Sequence, residues 1–173
     1  MKNKLTLLAI ITLAFAGSAA AQKKTVFSST YSSLNWKTCK VLRGTGGTDD
    51  AKLCKGPGGY KIRVYSSATM THIVAEYKTS ENGFPIASVD LAFDDNKAKI
   101  EWRLANGKPF AAIFRVPIYD GQNEYGAPGK KTGEELVVRG LKGQGDLDTS
   151  IDAKTPNANV KAREAADAGY KAP

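Results

Sequence analysis

Short stretches of the chain alternate apolar and polar residues, and a period of two predicts β-strands. In residues 60–65, Tyr60, Ile62 and Val64 alternate with Lys61, Arg63 and Tyr65. Further strand candidates are residues 25–32, 36–42, 71–77, 85–93, 135–141 and 147–151. Glycine-rich segments between them, such as residues 44–50 and 56–59, are predicted to be loops or turns. The pattern therefore predicts a chain rich in strands.

The clearest local prediction is a β-hairpin in the second half of the chain. Residues 100–104 and 110–116 both alternate, and Asn106-Gly107 lies between them. Asn-Gly tolerates positive φ at both central positions of a type I′ turn, which matches the twist of paired strands. The glycine-rich residues 120–133 that follow are predicted to form a long loop.

The C-terminal segment is predicted to be a helix. Thr155 is the expected N-cap, Pro156 the first helical residue, and Gly169 the terminator of residues 157–168. Its apolar stripe consists of small residues that permit close packing on a sheet, namely Ala158, Ala162, Ala165 and Ala166. The whole pattern predicts a β-rich α+β fold, with an antiparallel sheet or partly open barrel of about seven strands and one C-terminal helix.

The N-terminus has the three parts of a secretory signal peptide. Lys2 and Lys4 precede an apolar run at residues 5–15, and Ala19 and Ala21 form an A-x-A cleavage pattern. The run is too short to span a bilayer. We therefore expect residues 1–21 to be removed, leaving residues 22–173 as a single β-rich domain in the periplasm or outside the cell, not spanning a membrane.

The charge of the chain bears on possible partners. The formal net charge is +8, and it becomes +6 without Lys2 and Lys4. The lysines and arginines are scattered, which indicates weak attraction to anionic envelope polymers or lipid headgroups and no specific binding of nucleic acid. A secreted protein is the other candidate partner.

Two cysteines, Cys39 and Cys54, are the only ones in the chain. In an oxidising compartment an even pair predicts a disulfide, and their spacing is far wider than a C-x-x-C metal or redox motif. Closing a loop of this size is expected to stabilise the fold by about 3 kcal/mol.

Catalytic and cofactor motifs are scarce. The single histidine, His72, lies in a strand candidate and is interpreted as an outward polar residue rather than a general base. One histidine is too few for a multi-histidine metal site, and the glycine clusters lack the P-loop lysine and its βαβ context. We expect no metal and no cofactor.

Two groups of residues offer weaker functional hypotheses. Asp146, Asp148 and Asp152 would share one strand face and provide carboxylates for Ca²⁺ or glycoside hydrolysis, with Glu101 or Glu76 as the opposing group, although a solvated strand face explains the same spacing. The alternation around Glu101 predicts that it points to solvent. Sugars or bases could stack on an aromatic platform, but most of its candidates are expected in the core: Trp36, Tyr60, Tyr65, Tyr77 and Trp102.

Several stretches resemble a group of exported bacterial proteins of unknown function. They include residues 31–34, Cys39-Lys40 and residues 54–64, and the later stretches 101–104, 108–114 and 157–167 are similar too. The resemblance covers most of residues 22–173 and implies a secreted, disulfide-held domain without a known activity. Some members carry a further cysteine after a Gly-Gln motif, whereas here Gly143-Gln144 precedes Gly145.

These observations favour an exported, non-enzymatic binding or envelope-associated protein. One alternative is an inhibitor of a secreted hydrolase such as a lysozyme, which rests on fold-level analogy and fits poorly with a basic target. The other alternative, an envelope-glycan hydrolase, needs two carboxylates across a cleft, one of them with a raised pKa.

Overall fold

The computed structural model describes residues 24–42, 51–67, 69–79, 83–90, 93–94, 96–121 and 128–173. Their ten strands and one helix follow in chain order as β1 (Phe27–Ser33), β2 (Lys40–Leu42), β3 (Ala51–Lys55), β4 (Tyr60–Ser66), β5 (Met70–Tyr77), β6 (Gly83–Asp90), β7 (Lys99–Ala105), β8 (Lys108–Tyr119), β9 (Lys131–Gly140), β10 (Asp148–Asp152) and α1 (Ala158–Ala168). The signal-peptide prediction and the loop predicted at 44–50 lie outside the described residues.

The strands form two five-stranded antiparallel sheets. The first sheet has the order β1-β7-β8-β9-β10, and the second has the order β2-β3-β4-β5-β6. The β-rich antiparallel architecture with a C-terminal helix is thus confirmed. The prediction of one sheet or partly open barrel with about seven strands is wrong. The structure adds β3, which the pattern did not show because Ala51–Lys55 buries Cys54 alone and shows no clear alternation.

The first sheet is the middle of three layers. One core cluster lies between the sheets and includes Ile62 and Ile73 from the second sheet and Trp102 and Phe114 from the first. A second cluster lies between the opposite face of the first sheet and the helix. β7, β8 and β9 are therefore covered on both faces, which explains why β8 contains a run of buried residues in place of a simple alternation.

The predicted hairpin is confirmed. Asn106 and Gly107 have φ values of 51° and 79°, as a type I′ turn requires, and Ala105 pairs with Lys108 across it. The Asn106 side-chain carbonyl also accepts a hydrogen bond from the N–H of Val26 at 2.9 Å. The same turn therefore joins β7 to β8 and positions the residue that leads into β1.

The helix α1 packs on the first sheet through alanines. Ala158, Ala162 and Ala166 are buried at four-residue spacing, and Ala165 is only half-buried. The predicted start is wrong: the N-cap is Asn157, because residues 155–157 form a turn in which the N–H of Ala158 bonds to the carbonyl of Thr155. The predicted end is confirmed, since Gly169 follows the last helical residue.

The loop predicted at residues 120–133 is shorter than expected. β8 continues to Tyr119 and β9 already begins at Lys131, where the two residues pair. The sequence did not reveal this pairing because the glycines of the segment indicated a loop. Gly133 instead lies within β9, opposite Ile118.

Candidate binding cleft

The predicted disulfide is present. Cys39, just before β2, is bonded to Cys54 of β3, with their Cα atoms 4.3 Å apart. Cys54 is buried in the core between the sheets. The bridge therefore ties the short edge strand β2 and its neighbour to the core, and neither thiol is available as a nucleophile or metal ligand.

His72 lies among hydroxyl and aromatic groups of the second sheet. Its Nδ1 is 2.9 Å from the hydroxyl of Ser88, its Nε2 is 3.2 Å from that of Ser67, and its ring stacks on Tyr65 at 5.0 Å between centroids. A serine hydroxyl is therefore within hydrogen-bond distance of each ring nitrogen. In a catalytic triad, by contrast, one ring nitrogen is hydrogen-bonded to a carboxylate, which orients the histidine as a general base. The arrangement fits the interpretation of His72 as a polar residue of the sheet.

The three aspartates proposed as paired carboxylates each have a separate partner. Asp146 forms an ion pair with Lys171 at 2.5 Å, and this hydrogen bond lowers the pKa of the aspartate. Asp148 pairs with Arg139 at 2.6 Å, and Asp152 accepts a hydrogen bond from the N–H of Lys154. Within the described ranges, no three histidine, cysteine or acidic side chains are grouped as metal ligands.

The two glutamates proposed to oppose them are buried elsewhere. Glu101 is only 9% exposed, so the prediction that it points to solvent is wrong. The helix covers this face of β7, and Arg163 of the helix pairs with Glu101 at 2.6 Å. Glu76 is buried on β5, where it pairs with Arg63 at 2.5 Å. None of these five carboxylates is among the described residues that line the cleft presented below.

The aromatic candidates are divided between core and surface. Trp102, Tyr60 and Tyr77 form one packed group, with ring centroids 5.6 Å apart for Tyr60 and Trp102 and 5.0 Å for Tyr60 and Tyr77. Trp36 remains 55% exposed, beneath the Lys37 ammonium, and Tyr65 stacks on His72. The five side chains do not form one stacking platform.

A cleft lies where β8 extends beyond β7. The β7–β8 ladder ends at the pair Glu101–Ile113, whereas the β8–β9 ladder continues to Tyr119. The segment between β6 and β7 borders the extended part of β8, and the space between them has a volume of about 550 Å³. We call this space the main cleft.

The floor of the main cleft is apolar. Phe93 and Phe114 contact edge to face, with centroids 5.7 Å apart, and Pro117 and Tyr119 continue the apolar lining along β8. Pro117 offers no N–H, which is tolerated because this flank of β8 has no strand partner. Phe114 itself is only 1% exposed, so the apolar surface that a ligand can cover belongs to the half-buried Phe93, Pro117 and Tyr119.

The rim of the main cleft is basic. Four cations line it, namely Lys97, Lys99, Arg115 and Lys131. Two carboxylates, Asp94 and Glu134, also line it, so these six charged groups carry a net charge of +2. A cleft with walls of low dielectric focuses such a charge toward an incoming ligand.

Ion pairs fix most of these charged groups. Glu134 accepts hydrogen bonds from Lys131 at 2.6 Å and from Arg115 at 2.9 Å, and Asp94 pairs with Lys97 at 3.1 Å. The lysine hydrogen bonds lower the pKa of both carboxyl groups, which therefore remain ionised at neutral pH. A glycosidase acid requires the opposite shift, a raised pKa.

Sequence reasoning missed this cleft. Its cations were visible only as part of a scattered basic composition, and Lys97, Lys99 and Arg115 are brought together by strand pairing. The one available signal was the pair of adjacent lysines, Lys130 and Lys131, within the glycine-rich segment that the sequence predicts to be a loop.

Comparisons with protein-family models, with curated proteins and with solved structures find no match to this chain. In the described part of the chain, no helix has the length and apolar character needed to cross a bilayer.

Proposed function

We propose that this is an exported, non-enzymatic binding protein that holds an anionic ligand of the cell envelope in the main cleft. The observation that carries the proposal is the combination of an apolar aromatic floor with a rim of net positive charge. Such a site binds a ligand that has both negative groups and ring or carbon surface. The net basic charge of the chain favours encounter with anionic material.

Export of the chain is part of the same proposal. The disulfide and the lack of a membrane-crossing helix in the described ranges are compatible with it. The N-terminal pattern and the resemblance to a group of exported bacterial proteins support it further.

The two alternatives have less support from the geometry. A paired-carboxylate hydrolase would use Asp146, Asp148 or Asp152 with Glu101 or Glu76, and these groups are engaged in separate ion pairs and hydrogen bonds. An inhibitor of a secreted hydrolase needs a surface that fills the active site of its target, and no specific feature of the described residues favours that role.

Processing of the N-terminus is the first prediction. When the full chain is expressed in an export-competent bacterium, the protein recovered outside the cytoplasm is expected to begin at Gln22, because Ala19 and Ala21 fit the signal peptidase pocket. N-terminal sequencing and intact mass check this. Replacing Ala21 with a bulky residue, as in Ala21→Phe, is expected to block cleavage. Mature protein that retains Met1 would contradict the prediction.

The charge at the rim of the main cleft supplies the second prediction. Lys99→Glu is expected to weaken binding of polygalacturonate, used as a carboxylated polysaccharide probe, by about tenfold, since the net charge of the six lining groups falls from +2 to 0. Titration calorimetry of the exported protein at low ionic strength gives the affinity, and added salt should weaken it.

Lys108→Glu is the matched control for this substitution. Lys108 is exposed at the opposite end of β8, beside the hairpin turn, and does not line the main cleft. It changes the net charge by the same amount and is expected to leave the affinity within about twofold. Equal losses of affinity in both variants would show that binding depends on net charge alone. If the unaltered protein does not bind the probe, the proposed function is refuted.

A further inference from the structure

A second cleft adjoins the main cleft on the other side of a shared group of residues. It has a volume of about 370 Å³ and is lined by Thr132, Gly133, Ala153 and Lys154, together with residues of the main cleft. The shared residues are Arg115, Lys131 and Glu134. We call these three residues the saddle, since they separate and join the two clefts.

The saddle is a positioned group with an excess of positive charge. Glu134 is held between Lys131 and Arg115, so two cations face one carboxylate. Arg115 is fixed further by a hydrogen bond of 3.3 Å to the side-chain oxygen of Asn159, in the first turn of the helix. A ligand that passes from one cleft to the other therefore meets ordered cations at the crossing point.

The second cleft adds one more cation to those of the main cleft. Lys154 lines it, and its ammonium donates a hydrogen bond of 3.5 Å to the carbonyl of Thr132. Cations thus occur in the main cleft, on the saddle and in the second cleft, represented by Lys99, Lys131 and Lys154. This series of sites matches a ligand with repeated negative charges better than a compact anion.

We propose, building on the function proposed above, that the ligand is a linear acidic polysaccharide that lies across the saddle and occupies both clefts. Sugar carboxylates would contact the lysines, and sugar rings would cover the apolar floor formed by Phe93 and Tyr119. The second cleft then selects for chain length, because only an oligomer long enough to cross the saddle reaches Lys154.

The carboxylates in the lining favour a polysaccharide over a nucleic acid. Asp94 and Glu134 remain ionised, and each has oxygen lone pairs that accept hydrogen bonds from sugar hydroxyls. A polysaccharide with both hydroxyl and acidic groups satisfies the cations and the carboxylates together. A DNA backbone carries a comparable negative charge but has no free hydroxyl groups along its length, so it offers the two carboxylates no hydrogen-bond donor.

The test combines a series of oligogalacturonates, from about two to about ten residues, with two variants of the full exported protein. For the unaltered protein, affinity should rise with length and level off once both clefts are filled. Lys154→Glu should weaken binding of the long oligomers by about fivefold and leave the disaccharide unaffected. Lys99→Glu should weaken binding at every length, and Lys108→Glu should have little effect at any length.

The outcomes separate this inference from the proposed function. If Lys99→Glu weakens binding while Lys154→Glu has no effect on long oligomers, the main cleft is a binding site and the two-cleft inference is wrong. If neither substitution changes binding, both proposals fail. An oligothymidylate of comparable charge that binds as tightly as the longest oligogalacturonate would overturn the assignment of a polysaccharide.

Discussion

Trp102→Ala is expected to lower the free energy of unfolding by about 4 kcal/mol, which is a large part of the stability of a domain of this size. Trp102 is 0% exposed and lies between the two sheets, in ring contact with Tyr60. Truncation removes most of the apolar surface that holds the sheets together at this point and leaves a cavity that the two sheets cannot fill without shifting. Urea unfolding followed by circular dichroism gives the loss.

The hydrogen bond of the indole provides a graded control. Its Nε1–H donates to the hydroxyl of Ser32 on β1 at 3.0 Å, inside the core. Ser32→Ala leaves this donor without its partner and should cost about 1–2 kcal/mol. Trp102→Phe, which keeps an aromatic ring, should fall between the two. A Trp102→Ala loss below that of Ser32→Ala would contradict the placement of this side chain in the core.

The position of Trp102 illustrates what local patterns predict well. The alternation of residues 100–104 and the Asn-Gly turn indicated that Ile100 and Trp102 share one face of a hairpin strand, and this is confirmed. The disulfide was predicted from two cysteines and the expected compartment. In each case the chemical signal lies within a short stretch or in a pair of unambiguous residue types.

The opposite face of the same strand shows why the pattern was insufficient. Glu101 and Arg103 alternate with apolar residues, as on a strand with one solvated face, yet both are buried. Their partners Arg163 and Asp167 lie four residues apart on α1, which is distant from β7 in the sequence. Tertiary packing determines whether water or a charged helix covers the polar face of a strand. Period-two alternation predicts only that the face is polar, so it could not predict that Glu101 and Arg103 are buried.

The main cleft depends on information of the same kind. The cleft exists because β8 continues to pair with β9 beyond the point at which its pairing with β7 ends. Strand lengths of this sort follow from pairing between distant segments, and the sequence predicted a return strand ending at 116 and a loop from 120. The sequence did not predict that a few residues on either side of that loop pair with each other, and the cleft was therefore not predicted either.

A network of charged and hydroxyl groups holds the helix on the first sheet. Asp167 pairs with Arg103 at 2.5 Å, and Arg103 donates to the hydroxyl of Ser29 at 2.7 Å. The Ser29 hydroxyl in turn donates a hydrogen bond to Glu101 at 2.5 Å. Glu101 forms an ion pair with Arg163, which lies on the helix. Each charged group of this network has an opposite partner, which is the condition under which burial of charge is tolerated.

Arg163→Met is expected to destabilise the protein by about 2 kcal/mol at neutral pH, because it leaves Glu101 buried without its guanidinium. The loss falls below the range for fully buried pairs, since the Arg163 side chain is 36% exposed and water can partly replace it. The double variant Arg163→Met with Glu101→Gln removes the uncompensated charge and should recover most of the loss. Lys161→Met, an exposed change on the same helix, is the matched control.

The loss of unfolding free energy caused by Arg163→Met should depend on pH. Burial raises the pKa of Glu101, but the hydrogen bonds from Arg163 and Ser29 outweigh it and hold the pKa below the usual glutamate value. The folded protein therefore binds this proton less readily than the unfolded chain, and the contribution of Glu101 to stability is lost as pH falls below the ordinary glutamate range, from about pH 5 downward.

In Arg163→Met the guanidinium no longer opposes the effect of burial, so the pKa of Glu101 should rise and acid should relieve the uncompensated charge. The difference in unfolding free energy between the unaltered protein and this variant is therefore expected to narrow between about pH 7 and about pH 4. Urea titrations at a series of pH values measure it. A penalty that stays constant over this range would show that Glu101 is not the group that Arg163 compensates, and that the helix is held on the sheet by its alanine contacts and the Arg103–Asp167 pair.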